Sequence, residues 1–406
     1  MAGEEVSVKA PGKVILIGGY SALEESNIAF VGAVDSYVTA KLSQNGSGTV
    51  ELNAPQLSMS VKGRLDKEDG TIDAKPSPEL LLFKSAAQVA IRYVSGIGIP
   101  VLGFSITTHT DDEFAYSLSS GKLAKSGLGS SAAVCVATVG SILKAFAVDF
   151  KDNDALHKLS QIAHYIATAK TGSGIDITAS AYGSVICTRC PSTALRSLPQ
   201  DYTNKQLVEL VKSRWDQKIE RFSLPKAFRL SYATFGEAMI TTDAIRKVYE
   251  FRENDPHIYA DLIKEINEEN EKAVDALRRI KGGENGALVD FVSGFERGRH
   301  LTKKLGVLSG VGIEPDDCTQ LIEESKKHGA IAAKLPGAGG KDAIAALSID
   351  DASYNSLRDF WKHRSDIRIL KLGMVENGAK VAPRPTESRR PHDTTPLPPS
   401  PGIQTP

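Results

Sequence analysis

The sequence predicts an α+β fold in two lobes. Three observations carry that expectation. Strand-like runs crowd the beginning of the chain, helical patterns fill the stretch from Thr242 to Gly329, and strand-like segments return after it. A length of 406 residues is more than one ordinary core accommodates. We expect a first lobe over residues 1–225, a second over 226–380 and a disordered Pro-rich tail over 381–406.

The elements justify this in order. VSVKAPGKVILIGGY mixes β-branched runs with a Pro-Gly break, and VGAVDSYVTAKLS and TVELN follow as further strands. Pro78-Glu79 opens a helix whose apolar residues recur at helical spacing as far as Gly96. FSITTHTDD alternates like a strand, and AAVCVATVGSILKAF and ALHKLSQIAHYIATAK read as helices. From Ser192 to Leu224 the pattern loosens, so an insertion or connector is expected there. KAFRLSYATF begins the second lobe as a strand, and the helix HIYADLIKEINEENEKAVDALRRI is entered through Asp255-Pro256. Helices over ALVDFVSGFERGRHLTKKLG and EPDDCTQLIEESKKHG come next, then a glycine loop with its strand, a short helix from Tyr354 to His363, and IRILKLGMV as the closing strand. The tail has eight prolines in 26 residues and hardly any large apolar side chain, too little to order itself.

Composition narrows the function. Lys+Arg 49 against Asp+Glu 49 leaves no net charge, which argues against a nucleic-acid surface but is compatible with a local basic pocket. No apolar run approaches the roughly 20 residues that span a bilayer, and the start, MAGEEVSVKAPGK, lacks an apolar signal core. A cytoplasmic protein without membrane partners is expected. Cys187 and Cys190 form a CxxC, but at the end of a strand-like run and with no second pair, so ordinary strand cysteines fit better than zinc.

Three stretches carry chemistry. Lys125-Ser-Gly-Leu-Gly-Ser-Ser-Ala-Ala opens an apolar helix; free N–H groups and the positive dipole end suit phosphate there, and glycines would let its oxygens approach. It is neither a Walker sequence nor a dinucleotide GxGxxG. Lys13 lies inside an apolar strand and needs a partner, for which Asp176 in TGSGIDI is the candidate. Leu335-Pro-Gly-Ala-Gly-Gly340 has more glycine than a tight turn requires. Taken one at a time, each has a plain reading: a capped helix, a surface lysine at a strand start, an Asp helix cap.

The three stretches, in this order, resemble the GHMP small-molecule kinase family from Val6 to about Gly373. APGKVILIGGY, KSGLGSSAA, GSGIDITASAYGS and LPGAGGKDAIAAL are most similar to the phosphomevalonate kinase branch, with Gly18-Gly19-Tyr20 where mevalonate kinases and galactokinases resemble Gly-Glu-His. The resemblance implies an N-terminal lobe like ribosomal protein S5 domain 2, a ferredoxin-like C-terminal lobe, and a cleft between them. It implies transfer of a phosphoryl group from ATP, with Mg²⁺, to 5-phosphomevalonate in isoprenoid and sterol synthesis, by a monomer or weak homodimer. By the same resemblance Lys13 and Asp176 are catalytic. Lys125, Gly127, Leu128, Gly129, Ser130, Ser131 and Ala132 hold ATP, and Ser130 is the metal hydroxyl. Lys13, Tyr20, Ser173, Gly337, Ala338, Gly339 and Gly340 face the substrate.

A lysine-paired carboxylate is a weak base, but a phosphate acceptor, with a second pKa of about 6, needs none. Tyr165, beside His164, stands where mevalonate kinases keep a metal-binding glutamate, which leaves a second protein ligand open. His164 and His157 read as packing or hydrogen-bonding groups, and Lys341 as either a phosphate contact or a solvated side chain. Two alternatives stay open: a kinase for an unphosphorylated alcohol such as mevalonate, and a non-catalytic ATP-binding sensor of the same fold.

Overall fold

The computed structural model describes residues 5–117, 123–169, 172–236, 241–284 and 286–383. The expected tail lies outside the described residues from 384 onward.

The first lobe is built on a long antiparallel pair, β1 (Val6–Ile17) and β2 (Ile28–Gln44). Next come β3 (Thr49–Ala54), β4 (Met59–Leu65), β5 (Ile72–Asp73), α1 (Leu81–Gly96) and β6 (Phe104–Thr110), then a small hairpin of β7 (Ala115–Ser117) and β8 (Leu123–Lys125). Three helices follow, α2 (Ser130–Ala145), α3 (Asp154–Thr168) and α4 (Ile175–Tyr182), and then β9 (Val185–Thr188). After α5 (Ser192–Arg196) and α6 (Asn204–Lys212), β10 (Ile219–Arg221) completes a sheet of order β10-β9-β2-β6-β3-β4-β5, with β1 on β2. Helix α2 packs on β1 and β2 through residues buried all round, which explains its unbroken apolar sequence.

The Pro-Gly break does not interrupt β1. It appears as a register shift between Pro11, opposite Tyr37, and Gly12, opposite Val34. Proline has no N–H to give the ladder, and a bulge absorbs that loss without ending the strand.

The second lobe has a smaller sheet, β12-β13-β11-β14, from β11 (Arg229–Thr234), β12 (Ala332–Lys334), β13 (Ala343–Ser348) and β14 (Arg368–Leu370), antiparallel throughout. Of its helices α7 (Thr241–Asn254), α8 (Pro256–Lys281), α9 (Ala287–Leu308), α10 (Asp316–Lys327) and α11 (Asp351–Lys362), the last three pack on this sheet, while α8 packs on α9 and reaches β1 and β2 of the first lobe. Trp361, fully buried under this sheet, donates its indole N–H to the Ser325 hydroxyl at 2.9 Å. Fold class and sheet-helix mixture agree with the α+β expectation.

Three details differ from it. Residues 192–224 are not a loose connector: they hold α5, α6 and β10, and α6 starts at a capping box in which Thr203 and Gln206 satisfy each other's backbone N–H. IRILKLGMV is not one closing strand. It splits into β14 and β15 (Met374–Val375): Gly373 N donates to the Asp35 carboxylate, its carbonyl accepts from Asp35 N, and β15 joins β2 of the first sheet. Val381 is not the start of the tail either, since β16 (Lys380–Val381) pairs with Val8 and Lys9 on β1.

This returning segment is tightly seated. A Cβ on Gly183 would come 1.9 Å from the Glu376 carbonyl oxygen, and the residue sits at φ +99°. Gly183→Ala is expected to cost about 2–4 kcal/mol, since strained backbone and overpacking coincide. A thermal melt with no loss of midpoint would contradict that.

Candidate active site

The mouth of α2 is shaped by its own neighbours. Gly127 and Gly129 adopt φ +70° and +76°, a region that L side chains rarely enter. A Cβ on Gly129 would stand 2.9 Å from Lys13 Cε, and one on Gly127 would stand 2.9 Å from Asp342 Oδ2 and 3.0 Å from Tyr232 Oη. The glycines therefore make room first for a lysine, a carboxyl and a phenol of the protein itself. The turn is pinned on both sides: Lys13 N donates to the Leu128 carbonyl at 2.9 Å, and Tyr232 Oη donates to the Ser126 carbonyl at 2.7 Å.

Lys13 is buried on β1, and its ammonium has two partners. It donates to the Gly127 carbonyl at 3.1 Å and stands 3.6 Å from Asp176 Oδ2. The Lys13 side chain is 8% exposed and that of Asp176 42%, so the lysine is held while the carboxylate faces open space. Asp176 is the second residue of α4 and not its cap; Gly174 precedes the helix at φ +71°, with its carbonyl accepting from Gln161 and Thr178. Ser180, on the same helix, donates to the Pro11 carbonyl at 3.0 Å, which fixes α4 against β1 and brings lysine and carboxylate together.

A cavity of about 310 Å³ opens between these parts. Its wall includes Lys13, Lys125, Gly127, Leu128, Gly129, Ser130, Ser131, Ser173, Asp176, Tyr20, Gly337 and Ala338, so the three glycine-bearing stretches converge on one space. Tyr20 contributes its ring, while its hydroxyl donates to the Ala338 carbonyl at 2.8 Å; burial pushes the phenol well above its usual range. Other predicted residues lie elsewhere. Ala132 is buried within α2, and Gly339 and Gly340 turn toward Ile313, whose carbonyl accepts from Gly340 N at 2.9 Å. Lys341 pairs with Asp317 at 2.7 Å and does not line the cavity.

The family described as GHMP kinases N terminal domain matches residues 82–184, and GHMP kinases C terminal matches residues 291–366. This chain belongs to the GHMP kinases. It is 26% identical to the phosphomevalonate kinase of Candida albicans over 84% of this chain and 89% of that protein. It is 25% identical to an Arabidopsis thaliana protein named "Phosphomevalonate kinase, peroxisomal" over 90% of this chain and 94% of the other. Its fold is like that of the Streptococcus pneumoniae phosphomevalonate kinase in complex with phosphomevalonate and AMPPNP, with a TM-score of 0.73 at 20% identity, covering 91% of this chain and all of that one.

In this GHMP kinase the sequence reading missed Asp342 and an apolar wall of Ile15, Leu23, Phe114, Ile175 and Ile245. Asp342 stood in plain sight two residues after the third glycine loop. The apolar residues gave no signal, because their alternation belongs equally to strands and helices of a core. His157 is buried and engaged with Thr178 and Gln161, and burial lowers it to about 3. His164 is lowered by burial too, with Asp176 opposing, and neither histidine lines the cavity. Cys187 and Cys190 are free and buried, and burial pushes the Cys190 thiol up to about 12.

Proposed function

We propose that this GHMP kinase transfers the terminal phosphoryl group of ATP to the phosphate of 5-phosphomevalonate, giving 5-diphosphomevalonate and ADP. The observation that carries the reading is the Lys13–Asp176 pair, 3.6 Å apart, at the open N-terminus of α2. Phosphoryl transfer asks for alignment and charge neutralisation more than for covalent help. Gly127, Leu128, Gly129, Ser130 and Ser131 offer backbone amides and hydroxyls to the triphosphate. Lys13 and Lys125 offset charge on the transferring group and on the acceptor phosphate. Asp176 holds Lys13 in line, and no strong base is called for, because the acceptor oxygen already carries charge near neutrality. The phosphomevalonate kinase of Candida albicans, similar over most of its length, supports the choice of acceptor.

Mg²⁺ fits the oxygen donors present. Among the described residues the Ser130 hydroxyl makes no hydrogen bond and lines the cavity, and a hard cation that keeps most of its waters needs few protein ligands. When bound, the ion would offset charge on the nucleotide phosphates. Tyr20, Ser173, Gly337 and Ala338 would shape the acceptor side, with Gly339, Gly340 and Ala132 supporting from behind.

The reaction is placed in a reducing cytosol, in keeping with four buried free thiols, although the Arabidopsis relative is named for another compartment. We take the protein to act as a monomer or weak homodimer. No described helix is long and apolar enough to cross a membrane.

A coupled ADP-release assay with phosphomevalonate, mevalonate and homoserine tests the reading. Turnover is expected with phosphomevalonate and to be at least about 100-fold lower with the two alcohols, since a site built for a charged group discriminates strongly against its absence. Preferred turnover of mevalonate would replace the acceptor, and ATP binding without ADP release would replace the enzyme by a sensor.

A further inference from the structure

Among the described residues two carboxylates stand on the cavity wall, Asp176 from the first lobe and Asp342 from the second. Asp342 directly precedes β13, and its backbone carbonyl accepts from Phe235 N beside the end of β11. Its carboxyl fills the space where Gly127 would carry a Cβ, against the peptide whose carbonyl accepts from Lys13. The neighbouring β11 supplies Tyr232, which holds Ser126. The second lobe thus braces the nucleotide turn with a phenol and an acid. The phenol has a clear hydrogen-bonding task. A carboxylate facing incoming phosphates does not, and like charges there oppose binding.

We propose that Asp342 is a positioning residue. Its carboxylate balances Lys13 and steadies the Gly127 turn, and it takes up a proton from solvent when bound phosphates draw Lys13 to themselves. The lysine serves two carboxylates with one charge. Asp176 is the more exposed and keeps more of its water when anions enter, whereas Asp342 is only partly exposed and has less to keep. Burial already pushes the Asp342 carboxyl up to about 6, against the pull of Lys13, so a modest added negative potential protonates it near neutral pH. Among the described residues the other ionisable groups around the cleft are Lys125 from β8, Asp176 from α4, Tyr232 from β11 and Tyr20 after β1. His164 on α3 interacts with Asp176, and Lys341 is turned to Asp317. The sign follows directly. The nucleotide-bound form holds more protons, so affinity rises as pH falls toward 6 and levels off below it.

This inference rests on the ATP half of the proposed function and is independent of the acceptor. Titration calorimetry of Mg²⁺ and the β,γ-imido analogue of ATP, in two buffers of different ionisation enthalpy at pH 7, counts the protons. The parent is expected to take up roughly half a proton or more per nucleotide beyond Asp342→Asn, and its affinity to weaken about fivefold more than the variant's between pH 6.5 and 8. Equal proton counts in parent and variant would overturn the inference alone. A parent that does not bind the analogue would overturn it together with the ATP reading. Should the Asn variant unfold, Asp342→Ser serves the same comparison. Carbon NMR of the parent gives an answer without any variant: the Asp342 midpoint should rise by about one pH unit or more on nucleotide binding, and an unmoved midpoint refutes the role.

Discussion

Asp176→Asn is expected to lower turnover by about 100-fold or more while leaving ATP affinity within about threefold of the parent. The side chain is 42% exposed at the cavity and stands 3.6 Å from Lys13, so the substitution removes a charge without emptying a core. What is lost is the electrostatic hold that keeps the ammonium aimed at the transferring group. ATP retains the amides at the mouth of α2, which Asp176 does not touch. Lys13→Met removes the other half of the couple and should be at least as damaging. In the double variant the two losses should fall well short of multiplying, as they do when residues act as a unit. Single-turnover rates and nucleotide affinities of the three variants check this. Unchanged turnover in Asp176→Asn would take that residue out of the catalytic machinery.

Gly129→Ala should raise the KM for ATP about tenfold or more and reduce turnover with it. Two costs add at this position. A non-glycine residue at φ +76° is strained by about 1–2 kcal/mol, and the new methyl would stand 2.9 Å from Lys13 Cε. Relief requires either the turn or the lysine to move, and both belong to the site. Gly98 provides the control: it sits at φ +84° with nothing within 4 Å of a built Cβ. Gly98→Ala should share the backbone strain and leave the KM for ATP unchanged. Equal kinetic effects of the two substitutions would show that strain, and not the lysine contact, is responsible.

Much of the fold was legible because long periodic segments announce themselves. The α2 sequence, apolar on every side, could only be a buried helix, and α8 was signalled by Asp255-Pro256 and a repeating apolar stripe. Local pattern failed where partners lie far away in sequence. Met374 and Val375 look like a continuation of β14, and only their pairing with Ala33 and Val34 assigns them to the other sheet. The capping box at Thr203 and Gln206 was a local signal and could have exposed α6, but polar surroundings hid it.

The site divides in the same way. Lys13, Asp176 and the α2 mouth were readable because their residue types are costly without a purpose. The glycines of the third loop were readable as unusual, yet Gly339 turned out to face Ile313, since glycine density marks close approach without saying to what. Asp342 lay inside the quoted LPGAGGKDAIAAL and was passed over with the glycines in view. Its placement depends on how two lobes meet, which no local pattern encodes.

The pairing of residues 374–381 with β1 and β2 has a consequence for biosynthesis. Once made, β1 and β2 must wait for more than 300 residues of further synthesis before their last neighbours arrive. Stopping the chain before Met374 would leave an incomplete N-terminal half, prone to aggregate.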